Sequence, residues 1–212
     1  MARLLRWDRS GTIVREAIKY NECDILTEFL FRYSKAPAAM RGKDESVSDP
    51  SPAEEGAARE ALKLDRTAPL VKLSIPDAGG DRYFVTSAPE ATLYTPPGRA
   101  TRGFRAYDVL QRTVVFLKDS WRIDLPDIQA EGQVYKTLRD AEVQHIPHCL
   151  ASGNISTTKY HATKTHIYST KPWAACHPAA HFIPHRHYRL SLDVVGRILV
   201  EYESSYEMVS AL

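Results

Sequence analysis

The 212 residues, 43% apolar and 25% charged, suffice for one ordinary domain or a core with an extension; they exclude two large catalytic lobes, wholesale disorder and a fibrous repeat. With 28 lysines and arginines against 26 aspartates and glutamates, the net charge of +2 gives no global electrostatic reason for nucleic acid or an anionic membrane as partner. Cys23, Cys149 and Cys176 are odd in number and widely spaced, a poor disulfide framework. No stretch reaches the roughly 18 consecutive apolar residues of a membrane span, and the N-terminus lacks a signal-peptide apolar run. A soluble intracellular protein, cytoplasmic or nuclear, is the expectation.

In chain order, Leu4 to Asp8 and Thr12 to Ile18 flank Arg9-Ser10-Gly11 and predict a hairpin. Asn21 or Asp24 then caps a helix with Ile25, Leu26, Phe29, Leu30 and Tyr33 at three- and four-residue steps, ended by Pro37. Residues 35–58, rich in Ala, Pro, Ser, Asp and Glu without apolar periodicity, read as a mobile connection with room for a short helix after Ser51-Pro52-Ala53-Glu54. Residues 71–75 and 83–86 form a second hairpin about Asp77-Ala78-Gly79-Gly80-Asp81, and residues 104–109 and 113–118 a third about Gln111-Arg112. Between Pro126 and Glu142 the period becomes helical, placing Glu131 among Ile128, Tyr135 and Leu138 on one face. Gly153-Asn154 reads as a turn, the His- and Pro-rich stretch to His187 as irregular, Arg189 to Val194 as a strand, Gly196 as a turn and Ser204 onward as a helix. The chain ends with that helix barely begun, suggesting a fragment of a longer architecture.

The arrangement strand, lysine, helix, glutamate, formed by Lys118 and Glu131, is one that phosphoryl transfer uses: a cation near the α/β-phosphates held by a carboxylate from a packed helix. By spacing alone an ordinary strand-end lysine and a snorkelling glutamate fit equally. All eight histidines fall between His145 and His187, and Cys176, His177, His181, His185 and His187 supply zinc-type ligands. Pro178 and Pro184 interrupt the helix that would stack them and no Cys-x-x-Cys is present, so a solvated insertion is the expectation, with no metal ligand assigned. Arg99, Arg102 and Arg105 read as solvated scatter, and the three tryptophans as core or edge aromatics.

Arg102-Gly103-Phe104-Arg105-Ala106-Tyr107-Asp108, Leu117-Lys118-Asp119-Ser120-Trp121-Arg122 and Glu131-Gly132-Gln133-Val134-Tyr135 resemble the fungal-type protein kinase family. His187-Tyr188-Arg189-Leu190, Val195-Gly196-Arg197-Ile198-Leu199 and Ser204-Ser205-Tyr206-Glu207-Met208-Val209 look like its last N-lobe strand, hinge and first C-lobe helix, and Leu5 to Gly11 like the segment preceding its catalytic domain. The resemblance implies an α+β fold: an N-terminal hairpin-helix extension and linker over residues 1–60, then a kinase-like N-lobe over 61–212, an antiparallel sheet with one αC-like helix and no C-lobe. It further implies that Lys118 is the phosphate-binding lysine, Glu131 its helix partner, Gly98 and Gly103 the loop over the phosphates, and Asp193 and Val195 hinge residues.

The family's activity is ATP-dependent phosphoryl transfer to protein Ser/Thr. Gly98 and Gly103 are too far apart for the usual glycine-rich loop, and Phe116 shares the Lys118 face where adenine is expected, so ATP is expected to be held weakly or lost. His185-Arg186-His187 reads as coincidence rather than a catalytic loop, and no Asp-Phe-Gly string supplies a seat for Mg²⁺. A catalytically incompetent kinase-like chain is therefore expected. The alternatives are an interaction module that takes a protein partner or self-associates, and a zinc-binding protein using the His-rich segment.

Overall fold

Side-chain alternation in the central strands sends one set of residues into an enclosed core and the other under two helices. The structure, a computed structural model, describes residues 1–77, 79–92, 98–155, 161–177, 180–196 and 204. The expected opening hairpin forms from β1 (Leu5–Asp8) and β2 (Gly11–Arg15). Gly11 sits at φ +139°, and a Cβ on it would meet the Phe182 ring at 2.9 Å, so both backbone and packing require glycine there. Helix α1 (Ile25–Lys35) follows Asp24 as expected and buries none of its residues.

The connection expected to be mobile is instead built into the fold. After a 3₁₀ turn at Ala39–Arg41, β3 (Val47–Ser48) prepares the edge of the main sheet and α2 (Pro52–Leu62) begins with a capping box. The Ser51 hydroxyl accepts from the Glu54 amide at 3.4 Å, and the Glu54 carboxylate accepts from the Ser51 amide at 2.8 Å. Ala58 and Leu62 pack on Val85 and Tyr107. Caps and long-range contacts, neither visible as apolar periodicity, order this segment.

The main sheet contains β4 (Val71–Asp77), β5 (Gly80–Thr86), β7 (Arg102–Asp108), β8 (Thr113–Ile123), β9 (Cys149–Asn154) and β11 (His185–Leu192), with β6 (Ala91–Thr92) paired to β7. Its order is β3-β4-β5-β7-β8-β11-β9, all neighbours antiparallel. Helix α3 (Glu131–Asp140) lies between β8 and β9 in the chain, and the short α4 (Thr165–Tyr168) and β10 (Ala174–Ala175) between β9 and β11; β10 pairs with β2. The class is therefore the α+β class expected.

Two expectations fail locally. Gly153 and Asn154 are not a turn but the end of β9, where a Cβ on Gly153 would meet the Pro76 carbonyl oxygen at 2.5 Å; the glycine serves close backbone approach. β11 starts at His185, so the last histidines of the supposedly irregular stretch are strand residues. The helix expected from Ser204 lies outside the described residues apart from Ser204 itself.

The sheet curls until β9 contacts β4, enclosing Leu73, Ile75, Phe84, Phe104, Ala106, Val115, Leu117 and Ala151. Burying one such Phe or Leu contributes about 1.5–3 kcal/mol. On the outer face Tyr188, Leu190 and Leu192 pack with Phe116, Ala130 and Tyr135 beside α3. Among the described residues no helix is long and apolar enough to cross a membrane.

Candidate functional site

Even positions of β8 face outward, so Phe116, Lys118, Ser120 and Arg122 fall on the side that α3 covers, while Val115, Leu117 and Asp119 point inward. The helix is pinned at its start. The Gly132 amide donates to the Tyr188 hydroxyl at 2.9 Å, and a Cβ on Gly132 would lie 2.0 Å from Ser152 Oγ and 2.6 Å from the Tyr188 oxygen. This approach delivers Glu131 to Lys118: the ammonium donates to both carboxylate oxygens, at 2.8 and 2.7 Å. Arg99 stands 3.9 Å from the same carboxylate.

The pair borders a cleft of about 370 Å³ lined by Arg99, Lys118, Ser120, Arg122, Glu131 and Tyr188 among others. Arg122 is committed to Asn154 and Asp124, at 2.9 and 3.1 Å. Among the described residues, three cations against one lining carboxylate make the cleft receptive to an anion, with Lys118 and Arg99 the groups that can turn toward it.

The other residues that the kinase resemblance nominates are dispersed. Gly103 is a strand residue directly across from Lys118, whereas Gly98, at φ +95°, donates its amide to the Arg9 carbonyl at 3.0 Å. They do not form one loop. Asp193, just past β11, is tied to the residue before β9: its carboxylate accepts from the His148 amide at 2.8 Å, and its own amide donates to the His148 carbonyl at 3.1 Å. Val195 is half-buried, and neither it nor Asp193 is among the described residues lining the cleft. Phe116, on the Lys118 face, packs into the cluster of Tyr188, Leu190 and Leu192.

A second constellation, not assigned from the sequence, closes one end of the curled sheet. Arg189, 1% exposed, donates from Nε to Asp119 Oδ2 at 2.8 Å and from its terminal nitrogens to Ser46 Oγ at 2.9 Å, the Ser74 carbonyl at 3.0 Å and Asp44 Oδ2 at 3.2 Å. His187 Nε2 meets Asp119 Oδ1 at 2.8 Å, and its Nδ1 faces His161 Nδ1 at 3.1 Å. The Trp121 and His161 rings both stack on His187, with centroids 5.1 and 5.3 Å away. Burial alone would raise the Asp119 pKa, but the His187 hydrogen bond and the positive charges of Arg189 and Arg102 outweigh it and hold the carboxyl far below the usual range. Burial likewise opposes ionisation of Asp44, yet Ser46 and Arg189 leave its pKa lowered; burial also lowers that of His161.

One signal in the sequence could have exposed this network. Asp119 has the inward parity of Val115 and Leu117, and a carboxylate on a core face demands a buried partner. Of the zinc-type residues considered from sequence, His187 joins it, whereas Cys176 is exposed with its thiol toward the Ser169 carbonyl and His185 Nδ1 faces the Ile183 carbonyl at 2.8 Å. Comparison with protein-family models, with curated proteins and with solved structures finds no match for the chain.

Proposed function

We propose that the chain is a kinase-like nucleotide-binding module in which Lys118, oriented by Glu131, receives the phosphate groups of ATP. The observation that carries this reading is the two-oxygen Lys118–Glu131 ion pair at the edge of a cationic cleft, since phosphate recognition of this kind needs a lysine held by a helix carboxylate. An antiparallel sheet with one helix packed beside its lysine strand is the architecture the fungal-type kinase resemblance implies, and it supports the same reading. Binding rather than transfer is assigned to these residues. The base and Mg²⁺ ligands of phosphoryl transfer belong, by that resemblance, to elements C-terminal to the matched strands.

Melting the purified chain with and without ATP, in the presence and absence of Mg²⁺, beside Lys118→Ala, tests the proposal. At one hundred times its Kd a ligand adds about 2.7 kcal/mol, which for a chain of this size raises Tm by roughly 5–10 °C. The rise is expected in the parent protein, with or without Mg²⁺, and lost in Lys118→Ala. Cooperative melts without any rise would refute nucleotide binding.

A second reading, a protein-interaction module, is favoured by α1, whose Phe29, Leu30, Phe31 and Tyr33 are all exposed. Under it, sedimentation velocity gives a concentration-dependent dimer that Leu30→Glu abolishes. A monomer at high concentration would count against self-association.

A further inference from the structure

We propose that Asp44, His161 and His187 form a zinc-binding site at the polar end of the curled sheet. The three side chains come from separate parts of the chain, namely the segment before β3, the residues after β9, and β11. Each nonetheless offers a ligand atom within 4.8 Å of the others. His187 Nδ1 lies 3.1 Å from His161 Nδ1 and 4.0 Å from Asp44 Oδ2, and Asp44 Oδ1 lies 3.8 Å from His161 Nε2. Around a tetrahedral zinc with bonds of about 2.0–2.1 Å, neighbouring ligand atoms stand roughly 3.3 Å apart. With one ligand atom from each residue within 4.8 Å of the others, side-chain movements of up to roughly 1.5 Å bring the set to that spacing.

The outer support is what a metal-binding histidine requires. Asp119 accepts from His187 Nε2, which fixes the tautomer and leaves the Nδ1 lone pair facing His161 and Asp44; Arg189 and Arg102 hold Asp119 in turn, at 2.8 and 3.5 Å. Trp121, stacked within 6° of parallel, keeps the His187 ring from turning. Without an ion, a His161 Nδ1–H donated to His187 Nδ1 satisfies both nitrogens. Zinc takes the place of that shared proton, and His161 moves its hydrogen to Nε2.

Two imidazoles and a carboxylate suit zinc over calcium or magnesium, which prefer all-oxygen shells. Arg189 also touches Asp44 Oδ2, but its bonds to Asp119, Ser46 and the Ser74 carbonyl remain when the carboxylate turns to the ion. Asp44, with its side chain 30% exposed, marks the entry side, and a water completes the fourth position there.

The test is a titration of chelator-stripped chain with Zn²⁺ against a chromophoric competitor, repeated for His161→Gln, Asp44→Asn and His181→Gln, with circular dichroism as the check on folding. One zinc per chain is expected. His161→Gln and Asp44→Asn are expected to weaken binding by about 100-fold or more, and His181→Gln to leave it unchanged. Loading with Co²⁺ provides a second measurement, an intense four-coordinate visible spectrum in the parent that His161→Gln abolishes. A folded parent that takes no zinc, variants that bind as the parent does, or an equal loss in His181→Gln would each overturn the site. None of these readouts depends on nucleotide.

Discussion

Replacing Asp119 by alanine is expected to lower folding stability by about 3–5 kcal/mol, because it leaves the Arg189 guanidinium buried without its main counter-charge. Both side chains are almost fully enclosed, at 1% and 3% exposure, so water cannot take over the lost contacts. The same change removes the acceptor of His187 Nε2. Urea unfolding followed by tryptophan fluorescence, in chelator to keep metal out of the comparison, reads the loss. Arg102→Ala serves as the internal contrast: its side chain is 45% exposed, and its removal is expected to cost no more than about 1 kcal/mol. In the Asp119→Ala, Arg189→Met pair the two losses should be less than additive, since removing both charges leaves neither stranded. A loss for Asp119→Ala no larger than for Arg102→Ala would mean that the buried network is not what holds this end of the sheet.

The second large effect is expected at Gly132. Alanine is intrinsically the better helix former by about 1 kcal/mol, so a position free of contact would gain stability. Here the added methyl meets Ser152 Oγ, Ser152 Cβ and the Tyr188 hydroxyl at 2.0, 2.5 and 2.6 Å. The start of α3 must lift from β9 and β11, a strain of about 1–3 kcal/mol, and Glu131 leaves Lys118 with it. Gly132→Ala should therefore lower Tm and abolish the ATP-dependent rise together. Adding Ser152→Gly, which removes two of the three clashing atoms, should recover part of both. A Gly132→Ala protein that is more stable than the parent and still binds ATP would show that the close approach does not position Glu131.

The Lys118–Glu131 pair was legible because every step toward it is local: alternation sets the strand face, a three-and-four period sets the helix face, and the two charges fall on facing sides. The buried network was not, because the bonds that His187 and Arg189 make to Asp119, Ser74, Ser46 and Asp44 span 68 to 145 residues, and the inward parity of Asp119 is the one local hint of them. Asp44 and Ser46 sit in a segment without apolar rhythm, and their order derives from a guanidinium that arrives much later in the chain. The start of β11 at His185 is hidden in the sequence because histidine and arginine resemble a solvated stretch until Asp119 is known to face His187 and Arg189. Gly153-Asn154 failed for a related reason. A glycine admitting the Pro76 backbone and a glycine turning the chain look alike in one sequence.

The placement of β11 between β8 and β9 has a consequence for how the chain is made on the ribosome. The edge of β8 that β11 will occupy is synthesised first and waits for roughly 70 more residues, several seconds at about 5–20 residues per second. During that interval a strand edge next to apolar Phe116 and Leu117 is open to pairing with a neighbouring nascent chain. The curled sheet closes only when its penultimate strand slots in, so crowded polysomes and fast overexpression, more than weakness of the finished fold, should limit the yield of native protein.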